Sequence, residues 1–198
     1  MTPRSSSRLR TAVLDVATII LGGALTAGLV HIVAILIIPL YAANDAFARL
    51  SQLGATNKTV LLPDADAAAR LFPYGDPAVA AAFCRYDLRD GPLRVKAPVA
   101  RYEFSSLSFH TRRGSIFYAL TDRAATQNML DALIVTEKQL RAIAAHDSED
   151  ETVRDLRVVS STDEGFVLMR SFSETPSLMP EAEARTTALK CETEPISP

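Results

Sequence analysis

The densest group of residues able to do chemistry is Phe109-His110-Thr111-Arg112-Arg113-Gly114, which stands close in sequence to Tyr118 and to Asp122-Arg123. Two guanidiniums on a tight turn present forked N–H donors that suit a carboxylate or a phosphate. With His110 beside Arg112 and Arg113, the turn suggests capture of an acidic ligand such as a lipid head group. The simpler alternative is an exposed hairpin tip. Metal and nucleophilic chemistry have no comparable group. The three histidines, His31, His110 and His146, lack ligand spacing. Neither G-x-S-x-G nor S-x-x-K occurs, the glycines are dispersed, and Ser105, Ser106 and Ser108 read as the wet side of a strand. A carboxylate pair of the kind that cleaves glycosides cannot be singled out among 23 acids. No catalytic residue, metal or cofactor is therefore assigned.

The strongest feature of the chain is apolar. From Val16 to Leu40 it reads VATIILGGALTAGLVHIVAILIIPL, with His31 as the only ionisable group. As a helix this run is about 37 Å long, enough to cross a hydrocarbon layer of about 30 Å with some tilt. Arg4, Arg8 and Arg10 precede it, whereas Arg49 and Lys58 follow among the acids Asp45 and Asp64. That bias places residues 1–15 in the cytoplasm, 16–40 in the inner membrane and 41–198 in the periplasm. A cleaved secretory signal is the rival reading, since Ala42-Ala43 loosely resembles a cleavage site. The run is too long for a signal core, and Tyr41 stands where a small residue is wanted. Within the span, Gly23, Ala24, Ala27, Gly28 and His31 share a face with small-xxx-small spacing, which suits close approach of another helix. Pro39 is expected to end or bend the helix.

Export also bears on the two cysteines. Cys84 falls in an expected core strand and Cys191 just beyond an expected terminal helix. On the oxidising side of a membrane such a pair is more often bridged than left as two independent thiols, and the bridge would pin the terminal helix to the sheet.

Positioning these residues is the task of the roughly 155 residues after the span, enough for one domain with a real core. Asn44 or Asp45 caps a short helix over 46–53, a strand follows over 59–62, and an alanine-rich helix is expected over 64–72. Alternation then predicts three hairpins. The first turns at Asp90-Gly91, with Cys84, Tyr86 and Leu88 on one side and Leu93, Val95 and Ala97 returning. The second turns at Arg112-Arg113-Gly114, between strands 102–109 and 115–120. The third joins 153–160 to 165–172 around Thr162-Asp163-Glu164-Gly165. A strand over 132–135 leads into Thr136-Glu-Lys-Gln139, a capping-box pattern that opens a helix to about residue 145. The acids 147–151 form a solvated loop, and a last helix covers 180–190. The fold class is α+β or mostly β: one transmembrane helix, then an antiparallel β-sandwich-like domain with peripheral helices.

The membrane exit HIVAILIIPLYAANDAFARL, the stretch DPAVAAAFCRYDLRDGPLRVKAP, the segment YEFSSLSFHTRRGSIFYALTDRAA and the closing Cys191 together resemble a family of small single-pass bacterial membrane proteins carrying domain of unknown function 1254. The resemblance implies a β-sandwich in which Phe109 to Tyr118 is one hairpin. It also implies a heteromeric partner, a second anchored protein of related fold, and it lends no activity. A Trp is usual in that family's aromatic strand; this chain has none, and Phe104 stands near its place.

Net charge is −2 and the basic residues form no stripe, so nucleic acid is excluded as a partner. The expected partners are the lipid bilayer and another membrane or envelope protein. The reading is a membrane-anchored periplasmic accessory or assembly protein. The alternatives are a ligand-binding or catalytic domain acting on an envelope lipid or glycan near Arg112-Arg113, and a soluble secreted protein left after cleavage.

Overall fold

Apolar residues with no polar partner at hand satisfy their backbone within one helix, and the N-terminal run does so as α1 (Arg4–Tyr41). By length and composition the stretch Arg10–Ile38 is long and apolar enough to cross a membrane. Every side chain along it is exposed. The hydroxyls of Thr18 and Thr26 donate to the carbonyls of Leu14 and Gly22 at 2.8 Å, which keeps those polar groups satisfied inside the helix. The helical backbone continues through Pro39 to Tyr41, so the proline does not end it.

Residues from Asn44 onward form a separate compact unit. The computed structural model describes residues 4–41, 45–63, 75–100, 103–146 and 156–195; the helix expected over 64–72 and the acidic run 147–151 lie outside them. The unit opens with α2 (Ala46–Ser51), capped by Asp45, whose carboxylate accepts the Ala48 N–H at 2.7 Å. Strands β1 (Thr59–Leu61), β2 (Val79–Asp87), β3 (Leu93–Pro98), β4 (Ser105–Thr111), β5 (Ile116–Thr121) and β6 (Met129–Val135) follow, then α3 (Glu137–His146), β7 (Arg157–Val159), β8 (Glu164–Phe172), α4 (Met179–Thr187) and β9 (Lys190–Thr193). They make a five-stranded sheet of order β1-β2-β8-β4-β5 and a four-stranded sheet of order β7-β6-β3-β9. All pairings are antiparallel except β6 with β7.

The two sheets share one core. Cys84, Tyr86, Leu107, Phe109, Val167 and Met169 of the first meet Leu93, Val95, Leu130, Ile134 and Cys191 of the second, all buried. At roughly 1.5–3 kcal/mol for each large apolar side chain taken out of water, this layer is the main stabilising term. A second cluster sits on the other face of the five-stranded sheet, where Phe47 and Leu50 of α2 cover Phe83, Phe166 and Leu168. The capping box is formed as expected: Gln139 N–H donates to the Thr136 hydroxyl at 3.2 Å, and the Thr136 N–H to the Gln139 carboxamide at 2.8 Å.

Of the three expected hairpins only β4–β5 is one. β2 and β3 lie in different sheets. The Asp87 side chain accepts the Arg89 N–H at 3.0 Å, a single 3-10 turn occupies Leu88–Asp90, and Gly91 takes φ +135; together they carry the chain from one sheet to the other. Both strands still present the same alternate residues to the core, so a hairpin and a corner leave the same mark in sequence. The last expected hairpin is split as well. β7 joins β6 in parallel through α3, and β8 lies in the other sheet between β2 and β4. A strand-helix-strand pattern was present there and outweighs the turn signal at 162–165. Finally, the helix expected over 180–190 stops at Thr187, and Lys190–Thr193 form β9. Cys191 is therefore a strand residue of the inner layer.

Candidate functional site

The turn that carries His110, Arg112 and Arg113 is built by β4 and β5. Gly114 at φ +83 closes it, its N–H donating to the Thr111 carbonyl at 2.9 Å, and the Thr111 N–H donates to Ser115 O at 2.9 Å. The structure keeps the three residues together but turns two of them to the fold. His110 is buried and lies flat on Phe166, with centroids 4.4 Å apart and planes 11° from parallel. Its Nδ1 is 3.1 Å from the Gly114 carbonyl, which only accepts, so Nδ1 carries the proton. Nε2 then accepts from the Ser108 hydroxyl at 3.0 Å. Burial, with a smaller push from Arg170, lowers the His110 pKa, and the Gly114 bond offsets only part of that. The ring is neutral near pH 7.

Arg112 is a latch. Its Nη1 donates to Asp45 Oδ2 at 2.8 Å, its guanidinium lies 4.2 Å from the Phe47 ring centroid, and Nε is 3.7 Å from Glu164. Arg85 approaches the same ring at 5.4 Å and donates to Gly54 O at 2.6 Å. One phenyl ring thus receives two cations, and Asp45 both caps α2 and pairs with Arg112. Arg113 is exposed.

Beneath the turn, Tyr86 reaches across Gly165 to donate to the His110 carbonyl at 3.1 Å, with Ser160 Oγ at 3.4 Å. Gly165 is paired with Tyr86 on one side and Thr111 on the other. A Cβ there would collide with the Tyr86 hydroxyl and the His110 carbonyl. Burial pushes the Tyr86 phenol up to about 12.

The other expected site residues lie elsewhere. Gly23, Ala24, Ala27, Gly28 and His31 are exposed on α1, and nothing stands within 4 Å of where a Cβ would be at Gly22, Gly23 or Gly28. Cys84 and Cys191 are buried free thiols, one from each sheet, in the shared core. A cleft of about 300 Å³ is lined by Val99, Ala100, Asp122, Ala125, Gln127 and Asn128. Part of its lining is a two-residue turn in which Gln127 and Asn128 both take positive φ. Among the described residues no group of three or more His, Cys, Asp or Glu is placed to hold a metal ion.

A family profile described as "Protein of unknown function (DUF1254)" matches residues 56–193. The chain belongs to the DUF1254 family. No curated protein has a matching sequence. Among solved structures, the VPA0106 protein from Vibrio parahaemolyticus is similar with a TM-score of 0.53 and 11% identity, over 77% of this chain and 35% of that one. An uncharacterised protein from Burkholderia cenocepacia gives a TM-score of 0.41 and 12% identity, over 74% and 40%. This DUF1254 chain spans well under half the length of either, and the likeness to the Vibrio protein extends to the fold.

The DUF1254 match covers Arg85, Arg112 and Glu164 but not Asp45, Phe47 or Gly54, which precede it. In the sequence Asp45 stands only as one of two candidate caps, with Asn44, for the helix over 46–53, and neither it nor Phe47 is joined to Arg112. Only their sequence distance of over sixty residues hid the connection.

Proposed function

We propose that this DUF1254 chain is a membrane-anchored accessory or assembly protein of the bacterial inner membrane, with its domain in the periplasm and another membrane or envelope protein as its partner. The observation that supports this best is the small-residue face of α1. Nothing stands within 4 Å of where a Cβ would be at Gly23 or Gly28, a surface that suits close packing with a second helix in lipid, where small residues let backbones approach. The three arginines at residues 4, 8 and 10 favour an exported domain. On that side of the membrane Cys84 and Cys191 would meet an oxidising environment.

The test is purification in mild detergent. A stoichiometric membrane partner that is lost when Gly28 is replaced by Leu supports the reading. A lone monomer in both cases rejects it. A second reading, capture of an acidic envelope ligand, rests on Arg113, the exposed arginine of the turn. Binding of anionic-lipid vesicles by the domain, abolished in Arg113→Ala, would turn the conclusion that way.

A further inference from the structure

Cys84 is an inward-facing residue of β2 in one sheet, and Cys191 an inward-facing residue of β9 in the other. The chain at and just before β1 is tied to the chain at and just before β9 on both sides of Cys191. Thr59, which is paired with Cys84 in the β1–β2 ladder, donates from Oγ1 to the Leu189 carbonyl at 2.5 Å. Asn57 Nδ2 donates to Thr193 Oγ1 at 2.9 Å. The chain is thus held to β1 two residues before Cys191, and to Asn57 just ahead of β1 two residues after it, which keeps Cys191 in the same core layer as Cys84. Both side chains are sealed, with exposures of 0% and 6%.

We infer that Cys84 and Cys191 are oxidised to one inter-sheet disulfide, and that the bond is made before the sandwich closes and is shielded by it afterwards. This rests on the exported topology proposed above. The oxidant is a disulfide of the oxidising compartment, a thiol–disulfide oxidoreductase or oxidised glutathione. The thiolate of one cysteine attacks an oxidant sulfur and forms a mixed disulfide. The second thiolate then attacks the protein sulfur of that bond and releases the oxidant in its dithiol or thiol form, with two electrons and two protons leaving the protein. Both steps need a thiolate and a path for a bulky partner. In the folded domain neither is available, since burial and the neighbouring Cys84 push the Cys191 thiol upward and the surrounding core leaves no access. Among the described strands β9 follows all the others, so Cys84 waits for seven further strands, β3 to β9, before its partner arrives.

Full-length protein is extracted from membranes in mild detergent, its thiols are trapped with a maleimide in denaturant, and linked peptides are mapped before and after reduction. Domain location is read separately, by protease accessibility in spheroplasts. An exported domain with a Cys84–Cys191 peptide, and reduction by dithiothreitol at least ~100-fold slower in the native state than in denaturant, is the expected result. An exported domain with two alkylated thiols overturns the inference and leaves the topology standing. A cytoplasmic domain overturns the topology; the pairing is then decided by refolding the reduced, denatured chain with oxidised glutathione. Monomer linked between the two cysteines upholds the geometry, and glutathione adducts or free thiols reject it. Native reduction as fast as in denaturant removes the claim of shielding.

Discussion

Gly165 shows how one residue type sets the ceiling of a layer. The Tyr86 ring occupies the space a side chain would take, and its hydroxyl serves the His110 carbonyl beyond. Gly165→Ala should therefore cost about 1–3 kcal/mol, read as a lower urea midpoint with unchanged slope. Tyr86→Phe leaves the carbonyl without its donor and should cost about 1 kcal/mol. The same phenol gives a pH dependence. Its folded pKa is raised to about 12 by burial, whereas an unfolded tyrosine ionises near 10, so the unfolded state loses its proton first. Stability contributed by Tyr86 is complete below pH ~10 and is lost as pH rises toward 12, amounting to roughly 2–3 kcal/mol. A flat stability profile across that window, or one unchanged in Tyr86→Phe, would count against this. His110 works at the other end. Its pKa is lowered in the fold, so the unfolded state takes up a proton first as pH falls through the usual histidine range near 6.5. Stability should drop there, and His110→Gln should flatten the drop in acid-titrated unfolding.

At the scale of elements, α2 is six residues long and too short to persist alone. Phe47 and Leu50 hold it on the outer cluster, and the Asp45–Arg112 pair holds its start. Because Arg112 is partly exposed, its ion pair contributes only about 0.5–1 kcal/mol. Arg112→Ala should thus barely move the global midpoint while raising amide exchange at Ala48 and Arg49 several-fold. Uniform exchange acceleration across β2 and β8 instead would show that the latch belongs to the main core. For α3 the expectation is simpler: Thr136→Ala removes the cap and should cost about 1 kcal/mol in thermal unfolding.

At the scale of the molecule, the chain divides at Ala43 into two compact units, and the second has its own apolar core. Residues 44–198 expressed alone should therefore stay in the soluble fraction with a melting temperature within a few degrees of the full chain. Aggregation of that fragment would mean that α1 contributes to the fold of the domain. Full-length protein should stay with the membrane pellet after an alkaline carbonate wash.

Some of this was written locally in the chain. The apolar run, the Asp45 cap, the Thr136–Gln139 box and the inward set Cys84, Tyr86, Leu93, Val95 and Ala97 are each stated by spacing over a few residues, because helix period, strand alternation and capping are short-range physics. DUF1254 membership rests on the same local record. The partner of each strand was not so written. Alternation says which face of β2 or β3 is buried but is identical whether the next strand pairs beside it or crosses to the opposite sheet, so the corner at Leu88–Gly91 emerged only from the assembled core, which also decided between the strand-helix-strand pattern and the turn signal at β7. The Arg turn changed meaning for the same reason. As a sequence, His110-Thr111-Arg112-Arg113 offers two cations and an imidazole to a ligand. Once Phe166, Asp45 and Phe47 are brought against it from distant positions, burial and pairing commit His110 and Arg112 to the fold. Tertiary structure alone decided that, because the partners that satisfy a charge are chosen by proximity in space.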